Sequence, residues 1–209
     1  MKFDQEFKEA ISLLPAKEKD KLLLRLLKKD IILAKRLYFE LVSDDTVEDQ
    51  REAMEEGLTT RIDQFKDIAR TPKQILLELR SISKGITEHV KVTKDKYGEA
   101  SLNLLMLNEV LEKSQHAMIK SSAKFAYSLD IYLIARAFKV LILIKALHED
   151  FHIEFEQGLE ALKAHFENHL RLKRIAMDNR MDLDWFQHDA IPEDILQINR
   201  DIRAAGLLR

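Results

Sequence analysis

The sequence predicts an all-α protein, and three observations carry that expectation. Five Gly and three Pro in 209 residues leave too few turn-makers for a fold of many short strands. Thirty-two Leu against six Val favour helix over sheet, because Leu loses little rotamer freedom in a helix whereas Val is stiff at χ1. Apolar residues recur every three or four positions through most of the chain, the spacing of helices with one buried face. With 46% apolar residues the chain can fill a real core. No repeat of roughly 30–45 residues stands out, so an irregular multi-helix bundle is the expected architecture and a short α-solenoid of helical hairpins the alternative.

Phe3, Phe7, Ile11 and Leu14 share a helical stripe that ends at Pro15. Pro15 then opens a second helix, "PAKEKDKLLLRLLKK", at its first position. Asp30 is placed as the N-cap of a third, with Ile31, Leu33, Ala34, Leu37 and Leu41 along its apolar side. Residues 1–45 should therefore form an N-terminal unit of short helices packed on a main bundle of residues 46–209. Thr46 and Asp49 have the form of a capping box and begin a long amphipathic helix that runs to residue 69, with Gly57 as a weak point. Thr71 caps and Pro72 starts the next helix, which contains Gly85, and "TKDKYGEA" (93–100) is a charged break. "SLNLLMLNEVLEKSQHAMI", the apolar run 129–147 and "FEQGLEALKAHFENHLRLKRIAM" each have the pattern of one helix. An Asp-rich loop around Trp185 and a last helix begun by Pro192 complete the chain.

Formal charge is nearly balanced, 34 Lys and Arg against 36 Asp and Glu, which offers no overall field for a nucleic-acid backbone. Without cysteine there is no disulfide framework and no thiolate metal site, a composition that suits a reducing cytoplasm. The opening "MKFDQEFKEA" is charged throughout, unlike a secretory signal. The run 129–147 carries Asp130, Arg136, Lys139 and Lys145, too many charges for a lipid-spanning helix, and is expected as a buried core helix. Asp130 and Arg136 fall among apolar neighbours at helical spacing. Each should be ion-paired or hydrogen-bonded to another helix, or else line a small ligand pocket.

One short motif spells a chemistry. His148, Glu149 and His152 read H-E-x-x-H, which on an α-helix sets two imidazoles on one side where both reach a zinc ion while the Glu activates water. The zinc proteases surround those letters with uncharged residues, whereas this chain has Asp150 and Glu154. Their extended form needs Gly and His where Phe155 and Gly158 stand, and Leu172 occupies the place of the alternative third ligand, a Glu. A bundle metal site suits the pattern better: His148, His152 and Glu156 make a ladder at i+4 steps, and His165 and His169 repeat the step. A straight helix would hold His152 and His165 about 20 Å apart. The two pairs could converge only through a break at Gly158 or through partners elsewhere.

Other groups have ordinary explanations. The Asp residues around Trp185 miss the calcium-loop spacing and suggest an acidic loop pinned by aromatics; an exposed Trp185 would instead anchor a protein partner. Glu52, Glu55 and Glu56 lack the second acidic element of helical nucleotide pyrophosphatases, and Lys17 to Lys29 form a solvated basic face diluted by Glu18 and Asp20. No complete catalytic constellation is present. The expected function is therefore non-enzymatic: a scaffold or regulatory protein acting through protein contacts or self-association, without cofactor, nucleic acid or membrane. The rival expectation is a metal-binding bundle or metalloenzyme holding Zn, Fe or Mn at His148 and His152, with Glu156, His165 or His169 contributing.

Overall fold

The structure is a computed structural model in which residues 3–66 and 71–209 are described. Among these residues lie eleven α-helices, two 3₁₀ segments and no strand, so the chain has an all-α multi-helix fold.

The first helices are short and locally capped. Asp4 caps α1 (Gln5–Leu13) by accepting the Phe7 amide at 2.7 Å, and Asp30 caps α3 (Ile31–Leu41) through the Leu33 amide. Between them α2 (Ala16–Leu27) begins one residue after Pro15, which serves as the N-cap rather than the first helical residue. Next, α4 (Val47–Lys66) opens with the reciprocal Thr46–Asp49 bonds that its sequence implied. Its expected extension to residue 69 lies outside the described residues. Thr71 and Gln74 close a full capping box on α5 (Pro72–Thr93).

Five expected boundaries differ from the structure. The eight-residue charged break shrinks to Lys94, in the left-handed conformation at φ 64°, and Asp95, the N-cap of α6 (Lys96–Lys113). Of its charges, Lys94 and Lys96 are exposed, whereas Asp95 is buried as the helix cap. Ser114 separates α6 from α7 (Gln115–Lys120), and His169 separates α9 (Glu156–Asn168) from α10 (Leu170–Asp178), each dividing a stretch that periodicity joined. The long apolar helix α8 (Ala123–Lys145) stops before the histidine motif, and Glu149–Phe155 is 3₁₀. Beyond a second 3₁₀ segment, Leu183–Phe186, α11 (Ile195–Ala204) starts only after a turn that places the Pro192 carbonyl 3.2 Å from the Ile195 amide.

The centre of the bundle is α8. It packs against α5, α6, α10, α11 and the 149–155 segment, while α6 packs against α4, α5, α8 and α9. A solenoid hairpin meets only its sequence neighbours, whereas α8 gathers elements from both sides of itself, which makes the arrangement a bundle. Leu133, Phe138 and Leu141 of α8 join Ile62, Leu79, Met106, Phe166 and Phe186 in one buried core. By contrast, α1, α2 and α3 contribute no buried residue; α3 rests on α5 and α2 on α3.

Candidate functional site

The structure separates the histidines that the sequence aligns. His148 is the extended N-cap of the 149–155 segment, and its Nδ1 faces the Asp150 amide at 3.4 Å and the Asp150 carboxylate at 3.2 Å. His152 turns Nε2 to the Leu147 carbonyl at 3.3 Å. In a 3₁₀ segment, with three residues per turn, positions i and i+4 stand about 120° apart, against about 40° in an α-helix. The shared face that the i+4 spacing supplies is therefore lost. The exposed Glu156 begins α9 and lies 3.5 Å from His188, not against the other two histidines. The chain does not bend at Gly158. That residue lies inside α9, where a Cβ would come 2.7 Å from Leu104 Cδ2, so its smallness lets α9 approach α6.

His165 and His169 are parted by the α9–α10 break. His169 is buried and caps α10: Nδ1 accepts the Leu172 amide at 3.1 Å, which places the ring proton on Nε2, a buried atom without a hydrogen-bond partner. Among the described residues, no group of three or more His, Cys, Asp or Glu is arranged to hold a metal ion.

Burial lowers the pKa of His89, His165 and His169, in each case as the largest cause, and Arg171 adds to the effect at His169. A histidine that resists protonation only when folded adds stability above its unfolded pKa, near 6.5, and that contribution disappears as pH falls through the lower folded value. Urea midpoints should consequently drop between neutral pH and about pH 5, before most carboxylates titrate. A midpoint constant across that window would contradict the assignment of three neutral, partly or fully buried histidines.

Trp185 is half-buried and meets Phe138 edge-on, with centroids 6.0 Å apart, while the adjacent Phe186 is fully buried against Phe166. The acidic loop is pinned by its aromatics, with Trp185 partly exposed and Phe186 buried. Glu52 and Glu56 are exposed, and burial raises the pKa of Glu55.

Of the two charges embedded in α8, one finds the expected partner. Asp130 is fully buried and accepts from Arg171 Nε of α10 at 2.7 Å; Arg171 also donates to the Ser121 and Met118 carbonyls, so it joins α7, α8 and α10. Among the described residues, Arg136 finds no carboxylate. Its guanidinium lies over the Tyr132 ring, 5.1 Å from the centroid.

A second polar cluster escaped the sequence reading because its members lie far apart in the chain. Arg51 of α4 grips Asp95 with two bonds, 2.7 and 3.2 Å long, and covers the Tyr97 ring at 4.7 Å. Asp95 also caps α6 through the Gly98 amide, and His89 Nε2 lies 3.7 Å from its carboxylate. Tyr97 donates to Glu154, and burial together with that carboxylate pushes its pKa up to about 12. The Arg51–Asp95 pair ties α4 to the start of α6, and the Tyr97–Glu154 bond ties α6 to the 149–155 segment, while His89 Nε2 is buried without a hydrogen-bond partner.

The most distinctive surface feature is apolar. Twelve large hydrophobic side chains are exposed between Phe3 and Val42, against nine in the rest of the described chain. Leu13, Leu24, Tyr38 and Leu41 are 83%, 61%, 63% and 77% exposed. Ordinary monomers scatter such residues singly, whereas here they recur on three successive helices. Comparison with protein-family models, curated proteins and solved structures finds no match to this chain.

Proposed function

We propose that this chain is a non-enzymatic protein-interaction module that associates with a second copy of itself through α1, α2 and α3. The observation that carries the reading is the run of exposed apolar residues on helices that bury nothing of their own. Helices of 9, 12 and 11 residues are at or below the length, about 12–15 residues, at which isolated helices become marginal, so most of their stability must come from packing. Only α3 obtains much of that packing within the chain.

A second copy presents the same apolar character at equal concentration and can cover it through a two-fold contact. Residues 1–45 hold ten Lys and Arg against nine Asp and Glu, so two such units do not repel each other strongly. A standard interface uses about 20–30 residues per partner, a demand that three short helices meet.

Sedimentation velocity of the full chain over a wide concentration range tests the reading. The wild type should show a monomer–dimer equilibrium, and the double variant Leu24→Glu, Leu41→Glu should remain monomeric with an unchanged helical spectrum. Both side chains are exposed, so each change should alter the monomer's stability by no more than about 0.5 kcal/mol. A wild type that stays monomeric at every concentration overturns self-association. Near-stoichiometric zinc, iron or manganese in protein purified without an affinity tag, lost in His148→Ala, would replace it with a metal-dependent function.

A further inference from the structure

Between α5, α8 and α11 lies a cleft of about 650 Å³ whose twelve lining residues include Arg80, Arg136, Lys139, Arg203 and Arg209 but no Asp or Glu. In a chain of formal charge −2 this is a strong local concentration of positive charge. Arg80 and Arg136 lie over the same phenol ring, 5.9 and 5.1 Å from the Tyr132 centroid, and the Tyr132 hydroxyl is itself held 2.8 Å from that of Ser83. Glu99 engages Lys139 at 2.7 Å. Among the described residues, Arg80, Arg136 and Arg203 have no carboxylate within ion-pair distance.

Like charges gathered in a cleft repel one another; Arg136 is half-buried, whereas Arg80, Arg203 and Arg209 reach solvent, which screens part of that repulsion. Arg80, Arg136 and Arg203 are nonetheless left unneutralised among the described residues. Arg136 sharpens the point: its place among apolar residues of α8 called for a partner, and Tyr132 supplies only a ring face. Asn199 provides a second, independent sign. It lines the cleft and is buried at 9% exposure; its Oδ1 accepts from Arg203 Nε at 3.3 Å, and its buried Nδ2 has no acceptor. The cleft therefore holds an excess of donors over acceptors.

We infer that this cleft binds a small phosphorylated organic molecule carrying at least two negative charges. The planar guanidinium fork matches phosphate oxygens in pairs, which suits three arginines better than a single carboxylate would. The volume falls in the range of small-molecule sites, about 300–1,000 Å³, and exceeds what a bare phosphate needs; Ile131, Ile142 and Leu208 offer an apolar wall for the organic part. Concavity favours a compact ligand over a nucleic-acid duplex, whose phosphates need an open, extended basic face.

Calorimetric titration of the full chain with ATP, inorganic pyrophosphate and adenosine, without added metal and at low ionic strength, tests the assignment. ATP should bind, pyrophosphate should bind more weakly, and adenosine should not bind measurably. Arg136→Gln and Arg203→Gln should each weaken ATP about tenfold or more, as expected for losing a charged hydrogen bond. Lys91→Gln, about 16 Å from Arg80 along α5, removes an equal charge outside the cleft and should leave ATP affinity within about twofold. Circular dichroism of each variant confirms that it is folded. Failure of both ATP and pyrophosphate to bind overturns the proposal, as does equal weakening by Lys91→Gln. Binding to vesicles containing phosphorylated lipid headgroups, with no binding of soluble phosphates, also overturns it, because the ligand would then belong to a membrane surface. This outcome is independent of self-association, since no cleft residue lies in α1, α2 or α3.

Discussion

Arg171→Met should lower the unfolding free energy by about 3–5 kcal/mol, the cost of stranding a buried carboxylate without its partner. Asp130 has no solvent exposure, and its two closest donors are Arg171 Nε at 2.7 Å and Nη2 at 3.4 Å. Without them the carboxylate has lost water and gained nothing. The Ser121 and Met118 carbonyls also lose their contacts with Arg171, which loosens α7 against α10. Replacing both partners with apolar residues, Arg171→Met with Asp130→Leu, should recover most of the loss, because a well-packed apolar pair escapes the desolvation penalty.

The pH dependence separates this account from simple loss of packing. Burial is the largest influence on Asp130 and raises its pKa against the opposing pull of Arg171 and His169. A carboxyl group whose folded pKa lies above its unfolded value binds its proton more readily in the native state. Its contribution thus turns towards stability as pH falls through the folded value, the reverse of an ordinary paired carboxylate. The deficit of Arg171→Met should accordingly shrink in acid, where Asp130 is neutral. Urea denaturation across a pH series measures this, and a pH-independent deficit would mean that the guanidinium mainly fills space.

The second large effect is one whose sign runs against helix propensity. Gly→Ala within a helix ordinarily stabilises by about 0.5–1 kcal/mol, and Gly57 in α4, with open space around it, should behave that way. Gly98 should not. A Cβ there would stand 2.0 Å from Asp95 Oδ2 and 2.6 Å from Cγ, so the Asp95 carboxylate must leave its place. Moving it sacrifices the α6 cap and the two-pronged bond to Arg51, of which only 18% is exposed. The cap is worth about 1 kcal/mol and the charged hydrogen bonds more, so Gly98→Ala should cost about 2–4 kcal/mol. Desolvation raises the Asp95 pKa, but the Arg51 hydrogen bond, the Gly98 amide and the Arg51 and His89 charges outweigh it and hold the value down. The stabilisation is therefore full above the unfolded value of 3.8 and is lost as pH falls through the lower folded one. Thermal melts at neutral pH should place Gly98→Ala and Asp95→Ala close together. If Gly98→Ala melts at or above the wild type, the packing argument fails.

Much of this protein was legible without its tertiary structure. Asp30, the Thr46–Asp49 pair and the Thr71–Pro72 start act within a few residues of themselves, so their chemistry is local and can be read along the chain. The identity of α8 as the buried helix follows equally from its apolar density, and the need for a partner at Asp130 from the cost of burying a charge. What periodicity could not reveal were interruptions that preserve it: His169 and Ser114 interrupt helices without altering the spacing of apolar residues around them. The H-E-x-x-H spelling assumed an α-helix, and the 3₁₀ segment gave the same letters a different angular spacing.

The sequence by itself determined the all-α class, most helix starts and the presence of two charges on an apolar face, because these depend on propensity, capping and the helical period. Only the tertiary structure decided which of those charges would be satisfied. Arg171 lies 41 residues from Asp130, Asp95 lies 44 from Arg51, and the basic cleft draws its cations from three helices and from Arg209 beyond α11. No local rule links residues so far apart; packing of the core sets their distances, and distance in a poorly solvated interior sets the energy.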